Sequence, residues 1–292
     1  MPKFVVIEAP SILGLRPTGV ERLPDALIGA NLLKELDAER AGRVEVPPYN
    51  PERDKATLLL NPRAIRSYSL QLAQAVVSVL QKNQFPLVLG GDCSILIGNL
   101  LALRRLGKYG LFFIDGHADF YQPEASPTGE VADMDLAIVS GRGPDILTDI
   151  DGLKPLVQEK NVVLFGYRDA EEAAGYGSQD VRESDIYVLD FAEVRKLGIV
   201  KAASNALGKL LHEKLEGIWI HLDVDVLDDA VMPAVDYRMW GGLSFAELSE
   251  LLKVLLKSGR MVGMDITIFN PDLDKDSSIA RKFVSSIVKG LS

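Results

Sequence analysis

The sequence predicts an α/β domain with a mainly parallel sheet covered on both faces. Three observations carry that expectation. Short runs of apolar, β-branched residues recur without polar alternation, as strands buried on both faces require. Helical patterns separate them, as parallel crossovers require. No internal repeat and no Pro/Gly/Ser linker breaks the rhythm, so the 292 residues read as one domain, 1–292.

The elements follow in order. Phe4 to Glu8 (FVVIE) reads as the first strand and Gly19 to Leu36 as a helical segment. Arg43 to Pro47 is expected to form a short strand. Ala64 to Lys82 places Leu70, Leu72, Ala75, Val76, Val79 and Leu80 at helical spacing. Pro86 to Leu89 is a strand that ends in Gly90-Gly91, and Ser94 to Leu106 a helix. Leu111 to Ile114 is a strand that runs into Asp115-Gly116-His117. Tyr121 to Asp151 is rich in Pro, Gly, Asp and Ser, and reads as an active-site loop with some helix inside it. Strands are expected at Asn161 to Gly166 and, briefly, at Ile186 to Leu189. His212 lies in a helical, lysine-flanked stretch and reads as surface. Gly217 to Leu222 leads into Asp223, and Ser244 opens a helix to Lys257 with Glu247 completing a capping box. Val262 to Ile266 is the last strand and Ser277 to Lys289 the closing helix.

Composition narrows the function. Apolar residues make up 47% and charged residues 25%, which excludes a disordered chain. The 32 Lys plus Arg against 41 Asp plus Glu give a net charge of -9, so a nucleic-acid partner is not expected. No uninterrupted apolar run reaches the roughly 18 residues of a membrane span. The start, MPKFVVIEAP, has no long apolar stretch of a secretory signal, so a cytoplasmic location is expected. There is one cysteine, Cys93, and an internal disulfide is therefore excluded. With three histidines in the chain, any metal site must lean on carboxylates.

Ligands of an open parallel sheet bind outside the carboxyl ends of its strands. Three such ends carry polar clusters: Gly90-Gly91-Asp92-Cys93-Ser94, Asp115-Gly116-His117-Ala118-Asp119 and Asp223-Val224-Asp225. Asp115, His117 and Asp119 alternate, as do Asp223 and Asp225, so an extended segment would point each set one way. Converging carboxylates repel and raise one another's pKa unless cations neutralise them. Carboxylates with an imidazole suit Mn²⁺, Fe²⁺, Co²⁺ or Zn²⁺, and a close pair of such ions activates water at neutral pH.

These clusters resemble the metal motifs of the ureohydrolase family, which includes arginase, agmatinase and formiminoglutamase. The family pattern is GGDHS, DAHxD, SxDxDxxDPxxxP and DxxExNP. This chain has GGDCS from Gly90, DGHAD from Asp115, HLDVDVLDDAVMP from His221 and DITIFNP from Asp265. The resemblance implies a three-layer α/β/α fold with a central parallel sheet, a binuclear manganese site, a small-molecule substrate and a homo-oligomer. It implies that Asp115 and Asp223 bridge two metals, with Cys93 and Asp119 on the first and His117 and Asp225 on the second. A bridging hydroxide would then attack the trigonal carbon of an amidine or guanidine, with Asp119 accepting its hydrogen bond.

The departures from the pattern bear on the chemistry. The family's first-motif histidine is Cys93 here, which reads as a thiolate ligand or as a small buried hydrophobe. A thiolate shifts preference from Mn²⁺ toward Zn²⁺ or Fe²⁺. The family's guanidinium-binding glutamate is Ile268. Arginases carry a proton-shuttling histidine in the loop Thr128 to Asp133, where this chain offers only Glu130 or Asp133 for an acid role. Asp229 stands where the family has proline. Candidate substrate contacts are Asp169 and Glu171 after the fifth strand, with Arg168 beside them, and Tyr237 and Arg238 after Pro233. Glu124 either replaces the missing carboxylate or faces solvent, and Arg238 either binds a substrate carboxylate or is a surface arginine. His221 replaces a small residue and reads as a hydrogen-bonded core histidine. Two functions stay open: a hydrolase of guanidino, amidino or related amide C–N bonds, or a catalytically impaired relative that serves as a metal-stabilised binding or scaffold protein.

Overall fold

The structure is a computed structural model that describes residues 2–211 and 214–292. His212 lies outside the described residues. Among the described residues, eight strands form one sheet: β1 (Phe4–Ala9), β2 (Glu39–Arg43), β3 (Phe85–Gly90), β4 (Gly110–Ile114), β5 (Val162–Phe165), β6 (Tyr187–Leu189), β7 (Ile218–Asp223) and β8 (Met261–Thr267). Their order is β2-β1-β3-β8-β7-β4-β5-β6, and every neighbouring pair is parallel.

The sheet is the middle of three layers, and the period-2 alternation of side chains divides its residues between two cores. Val6, Leu87, Leu89, Phe112 and Ile114 pack against helices Ile199–Leu211, Phe245–Lys257 and Ser278–Leu291. Val5, Ile7, Val88, Leu111 and Phe113 face helices Pro62–Leu80 and Ile95–Leu106. Burial on both faces is why these strands read as continuous apolar runs. The capping box at Ser244 is present: Glu247 N donates to Ser244 Oγ at 3.2 Å, and Ser244 N to Glu247 Oε2 at 2.8 Å.

One expectation is corrected. The strand expected at Arg43 to Pro47 lies earlier, at Glu39–Arg43, with sequence ERAGR. It is an edge strand that pairs through backbone (Val5 with Glu39, Val6 with Arg40), so it needs no apolar side chains, and its charges suit an edge. Val44 and Val46 lie just after it, partly buried against the core. Helices Phe191–Leu197 and Ile199–Leu211 fill the crossover from β6 to β7. The first is opened by Asp190, whose Oδ1 accepts from Glu193 N at 2.8 Å.

Candidate metal centre

The four strands at the middle of the sheet are β3, β8, β7 and β4. All are parallel, so their carboxyl ends meet at one edge. Cys93 follows β3, Asp115 follows β4, Asp223 ends β7 and Ile268 follows β8. Motifs far apart in sequence are thus neighbours because the strand order makes them so. The turn after β3 brings the chain hard against Ser11: a Cβ at Gly91 would lie 1.7 Å from the Ser11 carbonyl oxygen, so glycine is required. Asp92 fixes this turn, accepting from Ser11 Oγ at 2.7 Å and Ser94 N at 2.9 Å, and so presents Cys93 inward.

Asp115, Asp223 and Asp225 each have one oxygen clamped by a backbone amide. His117 N donates to Asp115 Oδ1 (2.7 Å), Asp225 N to Asp223 Oδ1 (2.8 Å) and Gly116 N to Asp225 Oδ1 (3.1 Å). The second oxygens face one another and the remaining donors. Cys93 Sγ is 2.9 Å from Asp223 Oδ2 and 3.2 Å from Thr267 Oγ1. His117 Nδ1 is 2.9 Å from Asp225 Oδ2. Asp115 Oδ2 is buried and has no hydrogen bond. The segments are not extended as the alternation predicts: residues 224–226 form a 3₁₀ turn, and Asp119 has φ 44 in the left-handed region that aspartate tolerates. Convergence comes from these turns and the strand order together.

The donors fit a pair of divalent cations. Cys93, Asp115 and Asp223 form one group and Asp115, His117 and Asp225 a second, each with ligand atoms within 4.8 Å of one another. Asp115 belongs to both groups, as a ligand shared by two ions would. Electrostatics point the same way. Burial, then Asp225, pushes Asp115 up to about 6. Burial, then Asp225 and Asp115, raises Asp223, while burial and Asp115 raise Asp119. Burial and then Asp223 push the Cys93 thiol up. Burial would lower the His117 imidazolium, but Asp225 and Asp115 outweigh it and raise it. Burial would raise Asp225, but His117, with Arg168 beside it, holds it below the ordinary range. The groups hold protons where cations would otherwise sit.

The centre lies at the floor of a pocket of about 200 Å³. Cys93, His117, Asp119, Glu130, Asp133, Asp169, Asp223, Asp225 and Tyr237 all line it, together with Ile268. Asp119 stands outside the two tight donor groups. Tyr237 Oη donates to Glu130 Oε2 at 2.9 Å, and Arg16 N to Glu130 Oε1 at 3.0 Å. Ser126 Oγ donates to Asp133 Oδ2 at 3.0 Å, and burial pushes Asp133 up to about 7. Ile268 has φ 69, a strained conformation for a β-branched residue of roughly 1–3 kcal/mol, held where Ile268 N donates to Gly91 O at 2.9 Å.

Three candidates stand away from the pocket lining. Glu124 is exposed. Glu171 is exposed too, and in the short helix Ala170–Gly175 it is its neighbour Glu172 that lines the pocket. Arg238 pairs with Asp229, with Nη2 donating to Oδ2 at 2.9 Å, which gives the aspartate in place of proline a loop-bracing role. Arg168 also braces: its Nη2 donates to Asp225 O at 2.8 Å and its Nε to Trp240 O at 3.1 Å. It supplies the basic neighbour that sequence proximity did not offer. Sequence reasoning also missed Asp135. It heads the buried apolar run Leu136–Val139 and is itself fully buried, and an aspartate opening such a run was the available signal.

Comparison with known proteins gives a consistent picture. The arginase family profile matches residues 3–291. An arginase of Staphylococcus aureus is 32% identical over 290 residues, covering 97% of this chain and 94% of the relative. The crystal structure of arginase from Bacillus caldovelox superposes with a TM-score of 0.89 at 28% identity, covering 100% of this chain and 99% of that one. Formimidoylglutamase from Bacillus subtilis shares the fold, with a TM-score of 0.75 at 18% identity, covering 100% of this chain and 86% of that one.

Proposed function

The chain belongs to the arginase family, and on that premise we propose that it is a binuclear metal-dependent hydrolase cleaving a C–N bond of a guanidino, amidino or related compound. One observation carries the reading: two donor groups share Asp115 at the floor of a pocket rich in carboxylates. By the family pattern Cys93, Asp115, Asp119 and Asp223 would hold one divalent ion, and Asp115, His117, Asp223 and Asp225 the other. Mn²⁺ is the first expectation, and the Cys93 thiolate favours Zn²⁺ or Fe²⁺ in its half. When bound, the ions supply Lewis-acid activation of water and of the substrate.

The chain's own residues supply the rest. Asp119 orients the attacking water. Asp133, with a value near 7 set by burial, is suited to deliver a proton to the leaving amine at neutral pH. No lysine or arginine is among the described residues that line the pocket, whereas Glu130, Asp169 and Glu172 are, so a cationic substrate is favoured. Tyr237 holds Glu130 in place. A cytoplasmic homo-oligomer accompanies this reading, and sedimentation of the purified protein tests the assembly.

The test is product release from metal-loaded protein across a panel of guanidino, amidino and amide compounds. Urea or ammonia with the matching amine is expected. No release from any member would overturn the hydrolase reading. Ile268 supports a second reading, an impaired relative that only binds, because isoleucine makes no charge-assisted pair with a guanidinium, a contact worth roughly 1.5–3 kcal/mol. Guanidine hydrolysis gained by Ile268→Glu with Cys93→His, where the parent has none, would show that the framework is intact and that the substrate pocket alone has changed.

A further inference from the structure

Directly behind the centre, on the sheet face that carries Phe113 and Trp219, lies a second set of donors. His221 is in β7, opposite Phe113 of β4 and Asp265 of β8 in register. Its ring stacks on Phe113 at 4.4 Å between centroids. Its Nδ1 lies 2.5 Å from Asp265 Oδ2, while Asp265 Oδ1 accepts from Trp219 Nε1 and from Asn99 Nδ2, the latter at 3.0 Å. This is the arrangement that fixes a ligating histidine: Nδ1–H donates to a carboxylate, which leaves the Nε2 lone pair free. His221 Nε2 is fully buried without a hydrogen bond, and so are both oxygens of Asp135. Asp115 Oδ2, also without a hydrogen bond, is 3.9 Å from Nε2.

Four buried polar atoms left unsatisfied in one place cost several kcal/mol unless something joins them. A proton on Asp135 joins at most two of these atoms and does not satisfy all four. A cation does. Cys93 Sγ, an Asp135 oxygen and a His221 nitrogen lie within 4.8 Å of one another, with Cys93 the member shared with the outer centre. We infer that the cation held by Cys93 is a zinc-class ion seated on the inner side of the thiolate, ligated by Cys93, Asp135 and His221 with Asp115 as the fourth donor. Sulfur, imidazole and carboxylate are all donors that Zn²⁺ takes. The inference rests on the proposed role of Cys93 as a ligand and names that ion's other ligands, in place of Asp119 and Asp223.

The test separates the two ligand sets. Zinc X-ray absorption is read on His117→Ala/His212→Gln protein loaded with one equivalent of Zn²⁺, so that any imidazole shell reports His221. One sulfur near 2.3 Å and one nitrogen near 2.0–2.1 Å on the same ion are expected. Sulfur with oxygen neighbours alone would overturn the inference and leave the binuclear reading standing. In the full protein, the thiolate-to-Co²⁺ charge-transfer band should need at least about tenfold more Co²⁺ in Asp135→Asn and His221→Asn, and no more in Asp119→Asn. A band formed at unchanged Co²⁺ in both variants would also overturn it. If wild-type protein binds Co²⁺ through His117 but shows no thiolate band, Cys93 is no ligand and the inference fails, while the carboxylate part of the proposed function survives. The absorption experiment keeps Asp135 and His221 intact, so a misfolded variant cannot mimic either result.

Discussion

Glu8 in β1 and Asp115 beyond β4 are both fully buried carboxylates of the same sheet. Glu8 is neutralised from within the chain. Arg43 donates to Glu8 Oε2 from Nε at 2.9 Å and from Nη2 at 2.7 Å, and Arg40 pairs with the other oxygen. Both arginines come from edge strand β2, which places Arg43 opposite Glu8. Burial would raise Glu8, but the two guanidiniums outweigh it and hold it below its ordinary value. Asp115 has no such partners, and burial, then Asp225, pushes it up to about 6. The difference teaches how to separate structural from functional buried charge: the first has its counter-ions built in, and the second leaves a place for them.

The largest effect expected from this contrast is on metal binding. Asp115→Asn or Asp223→Asn should weaken divalent-cation affinity by more than about 100-fold in equilibrium dialysis, since even outer-shell partners cost 10–100-fold. Glu8→Gln should leave it unchanged. Equal losses in both places would erase the distinction. Next comes removal of the ions. At a thousandfold over Kd a bound ion stabilises by about 4 kcal/mol, so chelation should lower Tm by on the order of 10 °C, and readdition should restore it.

A sign reversal sharpens the comparison further. The folded Asp115 binds its proton more tightly than the unfolded chain does, so metal-free stability should fall as pH rises from the ordinary 3.8 through about 6. Asp115→Asn should therefore stabilise the metal-free protein at pH 8, by on the order of 2–3 kcal/mol in urea unfolding. Glu8 runs the other way. Its depressed folded value makes its contribution present above the ordinary 4.5 and lost as pH falls through the lower folded value. Glu8→Gln should cost about 1–3 kcal/mol at pH 7, less than a fully buried pair because Arg40 and Arg43 are 53% and 39% exposed. The smallest effect is Tyr237→Phe, which removes one hydrogen bond to Glu130 and should raise KM severalfold, about 1 kcal/mol, with kcat little changed.

Much of the site was legible in sequence because it sits where strands end. Apolar runs followed at once by Asp115, His117, Asp223 and Asp225 mark the sheet edge at which the structure clusters these donors. Less legible was β2, whose charged side chains carry no strand signal because an edge strand is held by its backbone. The choice between Glu171 and Glu172 also escaped, since adjacent helical residues point about 100° apart and only the helix's docking selects one.

Composition, periodicity and motif spacing by themselves determined the α/β class, the sheet edge that carries the candidate metal centre, the family and the departures at Cys93 and Ile268. These are local or pattern properties, and each is written within a few residues. Tertiary structure alone decided which buried charges have partners. The ion-pair of Glu8 with Arg43, the brace of Arg168 on Asp225, and the meeting of Asp135 with His221 and Cys93 all join residues far apart in sequence. The physical reason is that electrostatic neutralisation depends on distances of a few ångströms, and those are set by strand order and crossover, which no short stretch of sequence encodes.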